Sequence, residues 1–231
     1  ATLKSGAAIK KKLDATMERL HLIWTEIFRG RYRDTNSVVR QLCMKTLLNW
    51  TKIYPEKFVA TEYLKHVGWL LSDQSKDVRR AAFAAAKEVF TASNKVLGKR
   101  QAAARQGFLG KFIPRIFEAT SDVDPQVTIK ALDILTFLYD KGFLEGLNGD
   151  GPDSNFLTDD RLNHVFQKIF DDTSRAVRVA AAKFTTSQYS QFDTAQQAAA
   201  AKEAKKKDEI ARREAKKKEK LKAKKKDKAG D

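Results

Sequence analysis

Between Phe28 and Trp69 the chain places Tyr32, Trp50, Tyr54, Tyr63 and Trp69 among Arg31, Arg33, Arg40, Lys45, Lys52 and Lys65. A helix core does not need rings and cations interleaved in this way, so the stretch reads as a binding face. Its chemistry is recognition rather than bond making. A ring packs an aromatic anchor while a cation beside it meets an acidic flank or a ring face, and Trp, Tyr and Arg are the types enriched at binding hot spots. Trp50 and Tyr54 fall on a helical period and are expected in the core. Trp69 stands beside Leu64, Val67, Leu70 and Leu71, which already supply a core side, so its ring is not required there.

A second chemistry open to the same region is phosphate contact. Arg31, Arg33, Lys45, Lys52, Arg79 and Arg80 could neutralise a nucleic-acid backbone, with binding that tolerates any sequence and falls steeply with salt. Catalysis finds less support. His21, His66 and His164 are scattered, and Cys43 reads as a buried structural thiol rather than a nucleophile. Residues 148–153, NGDGPD, resemble part of a calcium loop, but Pro152 and the missing terminal Glu argue against one. No GxxxxGK phosphate cradle is present. The expectation is a scaffold with no catalytic residue, no metal and no cofactor.

The elements that must hold this face are helices. Leu13, Met17, Leu20, Ile23, Trp24, Ile27 and Phe28 recur at spacings of three and four, predicting a helix over about 9–28 that ends at Arg29-Gly30-Arg31. Val38, Val39, Leu42, Cys43, Leu47, Trp50, Ile53 and Tyr54 predict a second, capped by Asn36 or Ser37 and stopped by Pro55. Thr61 is expected to cap a third, and Ser75 to start a fourth with a stripe of small residues. Further helices are predicted through Phe108 to Phe117, with Pro114 as a kink or start, and from Pro125 through Leu138. A glycine-rich loop over about 141–157 precedes helices near 162–169 and 174–189. No stretch sustains an alternation of period two, so the fold class is all-α.

These helices repeat. Counting from Asp34, Asp73, Asp122 and Asp172, a valine stands five residues on each time and a small side chain nine residues on. Val39, Val78, Val127 and Val177 are the valines; Cys43, Ala82, Ala131 and Ala181 are the small residues. The anchors lie 39, 49 and 50 residues apart, the signature of HEAT-type helical hairpins stacked into a solenoid.

Of the formal net charge of +16, residues 201–231 carry +8 on 15 basic and 7 acidic residues. Such a surplus favours a polyanionic partner. That Lys-rich stretch has only Ile210 and Leu221 as large aliphatics and cannot pack a core. It reads as a basic C-terminal tail, either helical or disordered, and the expected division is a solenoid over 1–192 and a tail over 193–231. A single cysteine permits no internal disulfide, and no apolar run reaches the length of a membrane span. No secretory leader is read in the first residues, and the Ala start suggests a fragment or processed product.

FRGRYRD, LLNWTKIYPEKF, EYLKHVGWLLSD and KDVRR, in that order from Phe28 to Arg80, resemble the stromalin conservative region of the stromal-antigen subunit of cohesin. The resemblance extends over about 20–110. It implies a HEAT solenoid in the nucleus, on chromosomes, that takes part in sister chromatid cohesion, holds the kleisin subunit, contacts DNA and docks aromatic-motif peptides of cohesin regulators. It implies a docking surface at Tyr32, Lys65 and Trp69, with Lys111 as a further basic residue. Thr61 replaces an acidic residue of the family there, and His66 stands where the family often has an aromatic. The competing expectation is a general basic helical-repeat adaptor that binds RNA or acidic partners mainly through its tail.

Overall fold

The computed structural model of the chain describes residues 2–91, 97–144, 158–170 and 174–190. The chain divides into two compact units, Ala1–Thr185 and Thr186–Asp231. Asp172, the 148–153 segment and the Lys-rich tail lie outside the described residues.

Helix α1 (Thr2–Leu22) passes without a break into a π-helical segment, Ile23–Phe28, and a short α2 (Arg29–Arg31). Gly30 therefore does not end the helix; the chain turns only at Tyr32 and Arg33. The long apolar stripe expected here is only partly covered: Leu13, Ile23 and Ile27 are exposed, Met17 and Leu20 are half-buried, and Trp24 and Phe28 are buried. Periodicity records which side chains share a face, not whether anything covers that face.

After α3 (Ser37–Ile53), capped by the Asn36 side chain accepting from Val38 N, Pro55 opens the single-turn α4 (Pro55–Phe58). Proline suits a first helical position, where its missing N–H has no partner to lose. Ala60 rather than Thr61 occupies the cap position of α5 (Thr61–Leu70), with no side-chain bond. Helices α6 (Lys76–Thr91) and α7 (Lys99–Glu118) follow, and Pro114 sits inside α7 rather than starting it. Asp124 caps α8 (Pro125–Asp140). That helix ends at Gly142, whose φ of 69° is the left-handed conformation glycine adopts at no steric cost. Then come α9 (Asp159–Gln167) and α10, residues 175–190.

Helices α3, α6 and α8 pack side by side, α5 packs beside α7 with α6 beneath it, and Tyr139 on α8 meets Phe184 on α10 at 6.0 Å. The repeat positions explain this layering. Val78, Val127, Ala82, Ala131 and Ala181 are fully or almost fully buried, because small or β-branched side chains let neighbouring helices approach closely. The fold of the first unit is an all-α helical-repeat solenoid. Among the described residues no helix is long and apolar enough to cross a membrane.

One device ties the repeats together. Arg40 gives Nε and Nη2 to both carboxylate oxygens of Asp73 at 2.7 and 2.8 Å, while its Nη1 donates to the carbonyls of Asp34 and Thr35. One repeat later Arg79 does the same to Asp122 at 2.8 and 2.7 Å, and to the carbonyls of Asp73 and Gln74. Thr128 holds the equivalent place in the third copy and donates to the Asp122 carbonyl. Arg80 adds a bidentate pair to Asp124, and this bond holds the Asp124 carboxyl below its ordinary pKa. Arg40 and Arg79 thus each clamp the turn of the next repeat while satisfying the carbonyls of their own.

Two of the arginines read from sequence as phosphate contacts take part in these clamps. Arg79 is buried and its donors are spent on Asp122 and two carbonyls, and Arg80 is spent on Asp124 and Asp77. Arg79 would have to break a buried ion pair to reach a phosphate, whereas Arg80 keeps 30% of its side-chain surface exposed.

Candidate functional site

The face expected between Phe28 and Trp69 is built on a column of rings. Trp24 and Phe28 lie 23° from parallel with centroids 4.4 Å apart. Residues four apart come nearly into line here because the i→i+5 bonding of the π-segment widens the turn. Phe28 and Tyr32 continue the column at 6.4 Å and 13°, and Tyr32 and Trp69 end it at 6.1 Å and 23°. Trp50, Phe58 and Tyr63 brace it from the side: Trp50 lies 6.2 Å from Phe28, and Tyr63 lies edge-on to Trp24 at 4.5 Å. Burial pushes the Tyr63 phenol up to about 12, so it stays protonated.

His66 stands perpendicular to the whole column. Its ring meets Tyr32 at 4.4 Å and 73°, Trp24 at 5.0 Å and 74°, Trp69 at 5.3 Å and 87°, and Phe28 at 5.9 Å and 80°. It is buried, and its Nδ1 has no hydrogen-bond partner among the described residues. Burial, reinforced by the cations Lys65, Arg33 and Arg29, lowers its pKa to about 4. The imidazole is neutral at pH 7.

The outer end of the column is open. Trp69 is 38% exposed while Tyr32 is 7% exposed, so the column runs from the core to the surface. The Arg33 guanidinium lies over both rings, 5.2 Å from the Tyr32 centroid and 5.3 Å from that of Trp69. The Lys65 ammonium lies 5.8 Å from Trp69. Each such contact is worth roughly 0.5–1 kcal/mol at an exposed site. The Phe112 ring lies against Gly68, one residue before Trp69, and the exposed Lys111 places its Nζ 5.6 Å from that ring.

The structure therefore brings Tyr32, Lys65 and Trp69 together, with Tyr32 as a buried backing ring rather than a surface one, and sets Lys111 over the neighbouring Phe112. Arg33, read from sequence as a phosphate contact, belongs by geometry to this cluster. Arg31 is tied to Asp34 at 2.9 Å, and Lys52 approaches Glu88 at 4.0 Å; Lys45 is exposed. Trp50 and Tyr54 are half-buried against the core, as expected. His66 was passed over by sequence reasoning, although the spacing of four from Trp24 through Phe28 to Tyr32 was a signal that a ring column needed a partner. Burial raises the pKa of the half-buried Cys43, which suits a structural thiol.

Residues 33–112 match the family described as Stromalin conservative domain. The cohesin subunit SA-1 of Xenopus laevis is 26% identical over 179 residues, 76% of this chain and 13% of that protein. The cohesin subunit SCC3 of Saccharomyces cerevisiae is 34% identical over 119 residues, 51% of this chain and 10% of that protein. Among solved structures, cohesin subunit Scc3 from Z. rouxii aligns with a TM-score of 0.63 at 24% identity, over 81% of this chain and 20% of that one. That last likeness is one of fold, and the chain spans only 10–13% of the two curated relatives. Residues 33–112 are thus similar to the stromalin conservative domain, and the chain is similar in sequence to subunits of cohesin.

Proposed function

We propose that the chain is part of a cohesin regulatory scaffold, nuclear and chromosome-bound, whose ring-and-cation face docks an aromatic-motif peptide of a regulator. The observation that supports this most is the open indole of Trp69 backed by buried rings and flanked by Arg33 and Lys65. A guest ring extends the column, and an acidic neighbour in the guest meets the two cations. Contact with kleisin belongs to the same reading through the relatives' membership of cohesin.

The test is Trp69→Ala. Binding of a fluorescent peptide with one phenylalanine flanked by aspartates is expected to weaken at least about tenfold, the size of a hot-spot truncation. The melting temperature is expected to stay within a degree or two, because the indole is the exposed end of the column. A large fall in melting temperature with unchanged binding would reverse the reading.

A second reading, sequence-tolerant DNA contact, is supported by the exposed Arg31, Lys45 and Lys52 together with the basic charge of residues 193–231, the proposed tail to a 1–192 scaffold. Removing residues 201–231 separates the contributions. Peptide docking is expected to persist unchanged, whereas the salt slope of DNA binding is expected to drop by several phosphates' worth. Loss of peptide binding on truncation would favour the tail-driven adaptor instead.

A further inference from the structure

We propose that His66 is the residue that positions Trp69: a neutral imidazole, edge-on to both Tyr32 and Trp69, fixes the outward tilt of the indole, and a proton added to it lets the indole go. The inference rests on the docking reading for its consequence, weaker docking at low pH, but not for its geometry.

The geometry singles His66 out. Four rings of the column meet its edges or face at 4.4–5.9 Å, all within 17° of perpendicular. Tyr32 and Trp69 come from different segments and lie at a centroid distance of 6.1 Å, wider than close stacking, and His66 stands edge-on to both. Arg33 bridges the same two rings from outside. The indole thus contacts a neutral ring and two cations.

A proton on His66 upsets this arrangement for two reasons. The charge is buried without a hydrogen-bond acceptor at Nδ1, and it faces cations on each side: Lys65 from its own helix, and Arg29 and Arg33 from the segment opposite. No carboxylate is among the groups acting on it. An imidazole released toward water titrates near the ordinary 6.5, against about 4 in place. The released form therefore binds the proton better. Above pH 6.5 the held form has its full advantage; between 6.5 and 4 that advantage falls about tenfold per pH unit. Asp34 and Asp124 are held below the ordinary carboxylate range, chiefly by bonds from the Asn36 backbone and from Arg80, so these turns do not titrate in that window.

The experiment follows the Trp69 indole N–H resonance in the ¹⁵N-labelled full chain from pH 7.5 to 4.5, in the wild type and in His66→Phe, and measures affinity for the phenylalanine–aspartate peptide in parallel. In the wild type the resonance is expected to shift and the affinity to fall severalfold by pH 5.5. In His66→Phe, a ring of similar size without a titrating nitrogen, both are expected to hold steady, with affinity at pH 7.5 kept within about twofold. A wild-type indole indifferent to pH, or a shift that survives in His66→Phe, overturns the assignment. An indole that follows His66 in a chain that binds no peptide supports the positioning role and removes the docking reading alone.

Discussion

Asp122→Ala is expected to destabilise the chain by about 3–5 kcal/mol, the cost of leaving a buried charge without its partner. Arg79 keeps 9% of its side-chain surface exposed and Asp122 5%, so neither can recover hydration when the other is removed. The loss extends beyond the pair. Asp122 also accepts from the Asp124 backbone N–H, and Asp124 in turn caps α8 and receives Arg80. One substitution therefore loosens two clamps and a helix terminus. Urea denaturation of the variant is expected to show an earlier midpoint. The double replacement Arg79→Met with Asp122→Leu is expected to recover only the part due to the stranded charge, since the Asp124 N–H and the Asp73 and Gln74 carbonyls stay without these partners. A single-site loss under about 1 kcal/mol would show that the clamp is a surface pair of little worth.

The second large effect is expected at Gly68. In an open helical position Gly→Ala gains up to about 1 kcal/mol, because alanine loses less backbone freedom on folding. Gly107 on α7 has nothing within 4 Å of a would-be Cβ, and Gly107→Ala is expected to show that gain. A Cβ at Gly68 would instead run into the Phe112 ring. The ring is half-buried and must swing away, and Gly68→Val, larger and β-branched, is expected to cost about 2–3 kcal/mol by overpacking. Because Trp69 follows directly and Lys111 precedes Phe112, peptide binding should fall with it. Thermal melts of the two glycine variants give the comparison; a stabilised Gly68→Val would show that α5 and α7 have room to spare.

Much of the fold was legible because its signals are local. The Asp–Val–small spacing works through adjacent turns of one helix and repeats whatever lies beside it, so the solenoid could be read from four strings of residues. Val78, Val127 and Ala181 are buried where that spacing puts them. The misreadings share a cause. Helical periodicity grouped Leu13, Ile23 and Ile27 with Trp24 and Phe28, but only the last two reach the ring cluster. Arg79 looked like a phosphate contact because its carboxylate, Asp122, lies 43 residues away along the chain.

The amino-acid order alone determined the helices, their period and the gathering of rings and cations between Phe28 and Trp69, since backbone propensity and side-chain spacing act over a few residues. Only the tertiary structure decided which cation serves which purpose. Arg79 and Arg33 are the same side chain in sequence terms, yet one is closed over a carboxylate from the next repeat and the other lies open over two rings. Desolvation and distance set that difference, and both depend on what the neighbouring repeat brings alongside.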